Sequence, residues 1–431
     1  MSSSILRPRC VVVLTGFVAS AAGATEPNLN AAVIPLKVSV ARRPHTQADS
    51  AEVELRGASL PFDPRAVEGL GVKVYLANAS REGEEIQREE NLRFLGTVDL
   101  FENEQDEKDV VSLKARDLSG ALRDTKPLPA NLAPQHTDTL RAAITRIVDG
   151  VLGAGVVRVV GEDAPLSDLV GSRGRTGPVR LPNDATAWGV VEYLCSLCGL
   201  LVQVRLDRVE VLAGREAYEH RAEPRATLTF NALGGNVLRL KAAKKFVRNR
   251  KGIKVVAFDP ETRRRVEVVY PPDNELPPRH QGTPAAGRRR RAAPHPPERD
   301  VVEVGGVTQE AQLLTIARTI WLERSRQEVE AEAETPFFTE PFLSLTNGDR
   351  VRCQLNRALA AGLNLTQPRA ALLRTIQLRL GVEAPVAALL LDSARNPGSD
   401  VFYVHIADLR WEAEGTSSVK LELINLFGVT V

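Results

Sequence analysis

Cys195 and Cys198 stand as C-x-x-C, the spacing of a redox dithiol or of half a zinc site. Both chemistries need more than the spacing. Zinc takes four ligands, and no second Cys/His pair lies at a useful distance along the chain. A redox pair needs a thiolate near a helix start, whereas these cysteines close the run TAWGVVEYLCSLCGLL. There Trp188, Val191, Cys195 and Cys198 fall at i, i+3, i+7 and i+10, one face of a helix. Thr186 is placed to cap that helix and Gly199 to end it. The two thiols are expected to be core.

The remaining reactive residue types are no better arranged. The six histidines (45, 136, 220, 280, 295 and 405) are scattered, and none makes H-E-x-x-H. Phosphate loops and nucleophile elbows are absent from the sequence. GSRGRTG (171–177) has the glycines and arginines to cradle a phosphate, but no helix follows to aim a dipole, so it reads as a surface loop. ENEQDEKD (102–109) is acidic but sits at a hairpin tip, where carboxylates are solvated and not paired for acid/base work. Arg288, Arg289, Arg290 and Arg291 form a basic run that would attract phosphate. Without interleaved aromatics, contact with nucleic acid is the less favoured reading, against docking on an acidic partner or plain solvation. The expectation is a non-enzyme with no cofactor and no metal.

The elements around these residues carry more information. A chain of 431 residues exceeds what one core supports, so two to four domains are expected. Net charge is only +2 and aromatics are 5%, which argues against a polyanion binder or a stacking platform. GLGVKVYL (69–76), FLGTVDLF (94–101) and VVSLKARDL (110–118) are echoed by NGDRVRCQL (347–355), VFYVHIADL (401–409) and SVKLELINL (418–426). Apolar residues recur two apart in both sets, the period of a strand with one buried face. Val72, Val74 and Leu76 answer to Val351, Cys353 and Leu355; Val111, Leu113 and Ala115 answer to Val419, Leu421 and Leu423. Upstream, Val38 and Val40 pair with Ala51, Val53 and Leu55, a hairpin that Val255, Ala257, Val266 and Val268 echo.

Three regions follow. Residues 1–118 form a first β domain and 119–222 a small α/β domain, in which Thr137 caps a helix and 200–212 is a hairpin. Residues 223–431 form a second β domain, with a Pro/Arg-rich mobile loop at 271–300 and a helical insertion at 356–400. A helix over 308–326 is expected to turn Leu314, Ala317, Ile320 and Trp321 inward. At the front, Arg7, Arg9, CVVVLTGFV and ASAAGA imitate a secretory signal. The competing reading, a strand over Cys10–Leu14 turning at Thr15-Gly16, is preferred because the apolar run is short.

FLGTVD before VSLKARDLSGAL, the helix and hairpin over 186–212, the helix before LTNGDRVRCQL, and the closing hairpin VFYVHIADLRWEAEGTSSVKLELIN together resemble phage tail-hub and baseplate-hub proteins. The hub part of type VI secretion spike proteins belongs to the same group. The resemblance implies an α+β fold, with two tube-like antiparallel β-barrel domains and a small α/β insertion domain between them. It implies a homotrimer whose six similar units adapt a sixfold tail tube to a trimeric spike, with other baseplate proteins as neighbours. It places the protein in a virion tail or baseplate, or in an extracellular or cytoplasmic injection particle. The sequence ends at Val431 without a spike repeat, so the spike is expected to be a separate chain. An exported β-domain protein that binds a glycan or protein is the alternative.

Overall fold

The computed structural model describes residues 7–18, 29–44, 47–57, 60, 67–79, 86–104, 109–155, 158–160, 163, 165–169, 177–179, 181, 185–197, 200–212, 224–230, 236–244, 252–259, 264–272, 299–304, 310–324, 329–336, 338–355, 366–380, 383–395 and 401–425. In chain order the strands are β1 (Arg7–Val18), β2 (Leu29–Val33), β3 (Lys37–Arg42), β4 (Ser50–Arg56), β5 (Val67–Ala79), β6 (Leu92–Glu104) and β7 (Val110–Asp117). Then come β8 (Arg158–Val160), β9 (Leu201–Arg205), β10 (Arg208–Leu212), β11 (Ala226–Phe230), β12 (Arg239–Lys244), β13 (Gly252–Asp259), β14 (Arg264–Tyr270) and β15 (Arg299–Val304). The last four are β16 (Val329–Thr335), β17 (Arg350–Leu355), β18 (Val401–Glu412) and β19 (Ser418–Asn425).

Alternation decides which face is buried. In β7, Val111, Leu113 and Ala115 are buried while Ser112, Lys114 and Arg116 are not; in β4, Ala51, Val53 and Leu55 do the same. These faces meet in one core that runs from Cys10 to Leu423, so both ends of the chain share it.

The sequence echo is an echo of topology. Hydrogen-bonded order runs β3-β4-β7-β6-β5-β1 in the first set and β12-β16-β19-β18-β17-β11 in the second. Strand by strand the positions agree. Leu113 pairs with Val53 as Leu421 pairs with Ala333, and Val72 pairs with Gly96 as Val351 pairs with Phe402. A bulge breaks β6 between Val98 and Leu100, and another breaks β18 between Val404 and Ile406. Gly69 (φ 59°) and Gly348 (φ 84°) both take the left-handed turn two residues before their strands begin pairing with β6 and β18. Leu36 N–H donates to Glu54 O and Leu238 N–H to Glu334 O, each at 2.7 Å.

The two sets are joined edge to edge. β18 is long enough to take two neighbours on one side: β17 along Val401–Tyr403 and β3 along Ala407–Glu412. One thirteen-stranded sheet therefore holds both sets, with β2 appended to β1.

Several expectations need correcting. The hairpin Val255–Val268 forms as read, with Val255 opposite Val268 and Ala257 opposite Val266. It is not the counterpart of β3–β4, however. β13 and β14 join β15 in a separate three-stranded sheet, closed by the helix Glu310–Arg324 over its own core. In that helix Ala317 is buried and Ile320 and Trp321 pack against this core as read, but Leu314 is exposed and Leu313 and Ile316 are buried instead. The helix expected to begin at Thr137 runs Leu140–Leu152, after a short helix Ser119–Asp124, and its cap is Thr139, whose hydroxyl accepts from Ala142 N. Arg7–Val18 is one strand. It passes Thr15-Gly16 through a bulge instead of turning, with Val12 and Leu14 fully buried.

Helices Leu140–Leu152 and Ala187–Leu197 pack on β8, β10 and β9, burying Leu140, Ile144, Ile147, Trp188, Val191 and Cys195. Thr186 Oγ1 accepts from Gly189 N, as its capping position requires. The insertion at 356–400 contributes helices Arg369–Leu380 and Ala384–Arg395, whose Leu372, Ile376, Leu390 and Leu391 enter the main core.

Candidate functional site

Two places in the fold carry more than packing. The first is a cleft where the first strand set, the middle hairpin and the 340–349 segment meet. Arg42 ends β3 and is buried. Its Nη1 donates to the carbonyls of Leu343 (2.9 Å) and Leu345 (2.6 Å), and its Nη2 to that of Arg93 (3.2 Å). Arg93, at the start of β6, pairs with Glu340 at 2.5 Å. Arg205 on β9 donates to Thr346 Oγ1, and Arg225, just before β11, pairs with Asp349 at 2.7 Å. Asp349 also accepts from Thr346 N (2.9 Å), folding the segment back on itself ahead of β17. Four guanidinium groups from separate parts of the chain thus hold one loop.

Opposite Arg42 lies a carboxylate pair. Asp49 N–H donates to Asp117 Oδ2 (2.9 Å), and Asp117 Oδ1 accepts from the amide (2.9 Å) and hydroxyl (2.6 Å) of Ser119. Burial, then the Asp117 charge, pushes Asp49 up to about 7; burial likewise raises Asp117. Burial also lowers Arg42 to about 10, against the attraction of Asp49. Perturbed groups in a cleft are a signature of chemistry, but also of structural ion clusters. Size and lining decide between them. The cleft encloses about 40 Å³, room for a few waters, and among the described lining residues Ser119 has no histidine to activate it. The cluster is a clamp between regions.

The second place is a pair of strand edges. Beyond Thr97, where β5 stops pairing, β6 has no neighbour on the side away from β7 among the described residues. β12 pairs with β16 and has no other strand beside it among the described residues.

The sequence candidates fare differently. Arg288, Arg289, Arg290 and Arg291 lie outside the described residues, as does Cys198. Cys195 is buried. Of GSRGRTG only Gly177 is described, in the left-handed region, with its carbonyl accepting from His136 N. Of ENEQDEKD, 102–104 finish β6 and Asp109 (φ 45°) precedes β7. Among the described residues no three His, Cys, Asp or Glu cluster as metal ligands, and no helix is long and apolar enough to cross a membrane. The arginine clamp went unnoticed in the sequence because its members are separated by up to 303 residues. Its one legible signal was Asp349 in the repeated Gly-led motif.

No protein-family model matches the chain, and no curated protein matches it. Solved structures do. The tail protein from Neisseria meningitidis MC58 superposes with a TM-score of 0.57 at 14% identity, covering 97% of this chain and 96% of that one. The 43 kDa tail protein of prophage MuSo2 from Shewanella oneidensis gives 0.50 at 12% identity, covering 97% and 98%. The chain has a tail-protein fold from end to end.

Proposed function

We propose that this chain is the structural hub subunit of a phage tail baseplate or a related injection particle, and that it works as architecture without catalysis. Three copies form a ring around an axis, so that six similar strand sets meet a sixfold tail tube on one face. The threefold face takes a trimeric spike. The observation that carries this reading is the duplicated pairing order, β3-β4-β7-β6-β5-β1 against β12-β16-β19-β18-β17-β11, set side by side in one sheet. A duplicated unit lets a threefold object present a quasi-sixfold surface. The end-to-end likeness to two tail proteins supports the same reading at the level of fold. The arginine clamp fits it too, since a mechanical part must keep its regions in fixed relation. Solution mass and negative-stain class averages test it. A threefold ring with a central opening is expected; a compact single chain at all concentrations would overturn it.

A further inference from the structure

We infer that the open edge of β6 in one copy binds the open edge of β12 in a second copy, antiparallel, repeating the β18–β3 junction that the chain makes within itself. This rests on the ring reading above and names the strands and register that close it.

The junction inside the chain is the template. β18 and β3 run antiparallel, with Ala407 opposite Arg42, Asp408 opposite Ala41, Leu409 opposite Val40 and Arg410 opposite Ser39. Ala413 N–H donates to Leu36 O (2.9 Å), and Trp411 Nε1 donates to Pro8 O (3.2 Å) at its far end. Lys37 lies 3.7 Å from Glu54 and 4.0 Å from Glu412, bridging the seam.

The equivalences already established give each partner its counterpart. Paired with β7 and β19, Phe101 to Glu104 of β6 occupy the places of Ala407 to Arg410. Paired with β4 and β16, Arg239 to Lys244 of β12 occupy the places of Lys37 to Arg42. Transferring the register sets Phe101 opposite Lys244, Glu102 opposite Ala243, Asn103 opposite Ala242 and Glu104 opposite Lys241. The occupant is therefore a second copy of this chain.

Two independent observations favour that occupant. Leu100 and Leu238 are 42% and 65% exposed, unusual for large apolar side chains beside a sheet edge. Their counterparts at the filled junction, Ile406 and Leu36, are half-buried. The two edges are also opposite in charge: exposed Glu102 on β6 against exposed Arg239 and Lys241 on β12. A long edge left unpaired invites addition of another strand, and the charges restrict which strand fits.

Engineered cysteines in the full chain test the register. Neighbouring antiparallel pairs alternate between wide and close spacing, so two adjacent pairs are needed. Asn103→Cys with Ala242→Cys and, separately, Glu104→Cys with Lys241→Cys are oxidised mildly, beside the parent chain and a pair shifted by two residues. Of the four native cysteines Cys10, Cys195 and Cys353 are buried, and the parent chain reads the background that they and Cys198 give. At least one in-register pair should form intermolecular disulfides, giving covalent dimers and trimers on a non-reducing gel at several times the yield of the shifted pair. A ring present by mass with no crosslink in either pair overturns this junction while the hub reading stands. A chain that never assembles overturns both. As a second arm, Glu102→Lys with Glu104→Lys should weaken assembly by tenfold or more, and Lys241→Glu in the same chain should restore part of it; undiminished assembly counts against the pairing.

Discussion

The first and second strand sets share a frame and differ in what is hung on it. Both have the same pairing order, a bulge at the same place in β6 and β18, and a left-handed glycine two residues before β5 and β17 begin pairing with them. They differ at the last strand: β1 joins β5 antiparallel, whereas β11 joins β17 parallel. They differ also in their insertions. The connection between β3 and β4 spans only residues 43–49, while its counterpart between β12 and β16 spans 245–328 and holds a second small sheet and its helix. The lesson is that the strand order is retained in both sets, while the connections between strands vary in length and content. One junction between sets is filled inside the chain, and its twin is open.

Equivalent core positions give the sharpest test of that comparison. Leu113 and Leu421 are both about fully buried and hold the same place in the frame. Leu113→Ala and Leu421→Ala should each cost about 2–5 kcal/mol, read from urea midpoints. A large loss at one and none at the other would break the equivalence. Next, Arg42→Met removes the donor to three carbonyls and should cost about 2–4 kcal/mol by the same measurement. A neutral result would mean that the clamp does not hold the regions together.

The acid pair gives a smaller effect, present in the first set alone because the same register in the second set puts Val329 opposite Asn425. Asp49 has a folded pKa of about 7, above the unfolded value of about 3.9. The folded state then holds the extra proton between those values, so stability falls as pH rises from about 4 to about 7 and levels off above. Asp49→Asn keeps an acceptor for Arg43 N–H and should flatten most of that slope, leaving the part due to Asp117. An unchanged slope would refute the assignment. Smallest, Gly69→Ala and Gly348→Ala should each cost about 1 kcal/mol from the left-handed backbone alone. Around Gly69 an added Cβ meets nothing within 4 Å, so a much larger loss there would point to something other than strain.

Much of the frame was legible because a half-buried strand writes its period into sequence. Val111, Leu113 and Ala115 against Val419, Leu421 and Leu423 are the same positions in both sets, as their spacing indicated. The error over Val255–Val268 has the same origin. Alternation marks a hairpin but not the sheet it joins, and β12, the true counterpart of β3, offers only the short run RLKAAK. Register across β16 reveals it, where Ala51-Glu52-Val53-Glu54 stands over Ala331-Glu332-Ala333-Glu334. In Glu310–Arg324 only Leu314 departs from the reading, because its neighbour Leu313 takes the buried place beside Ile316 and Ala317. The clamp at Arg42, Arg93, Arg205 and Arg225 was illegible because each arginine alone resembles a solvated charge, and only the fold gathers them.

A cryo-electron microscopy map of the assembled protein tests the central claim most directly. The account predicts an unbroken sheet circling an axial opening, with Phe101–Glu104 of each copy antiparallel to Lys241–Lys244 of the next. A map in which those two edges stand apart, each facing solvent or a different partner, would contradict it.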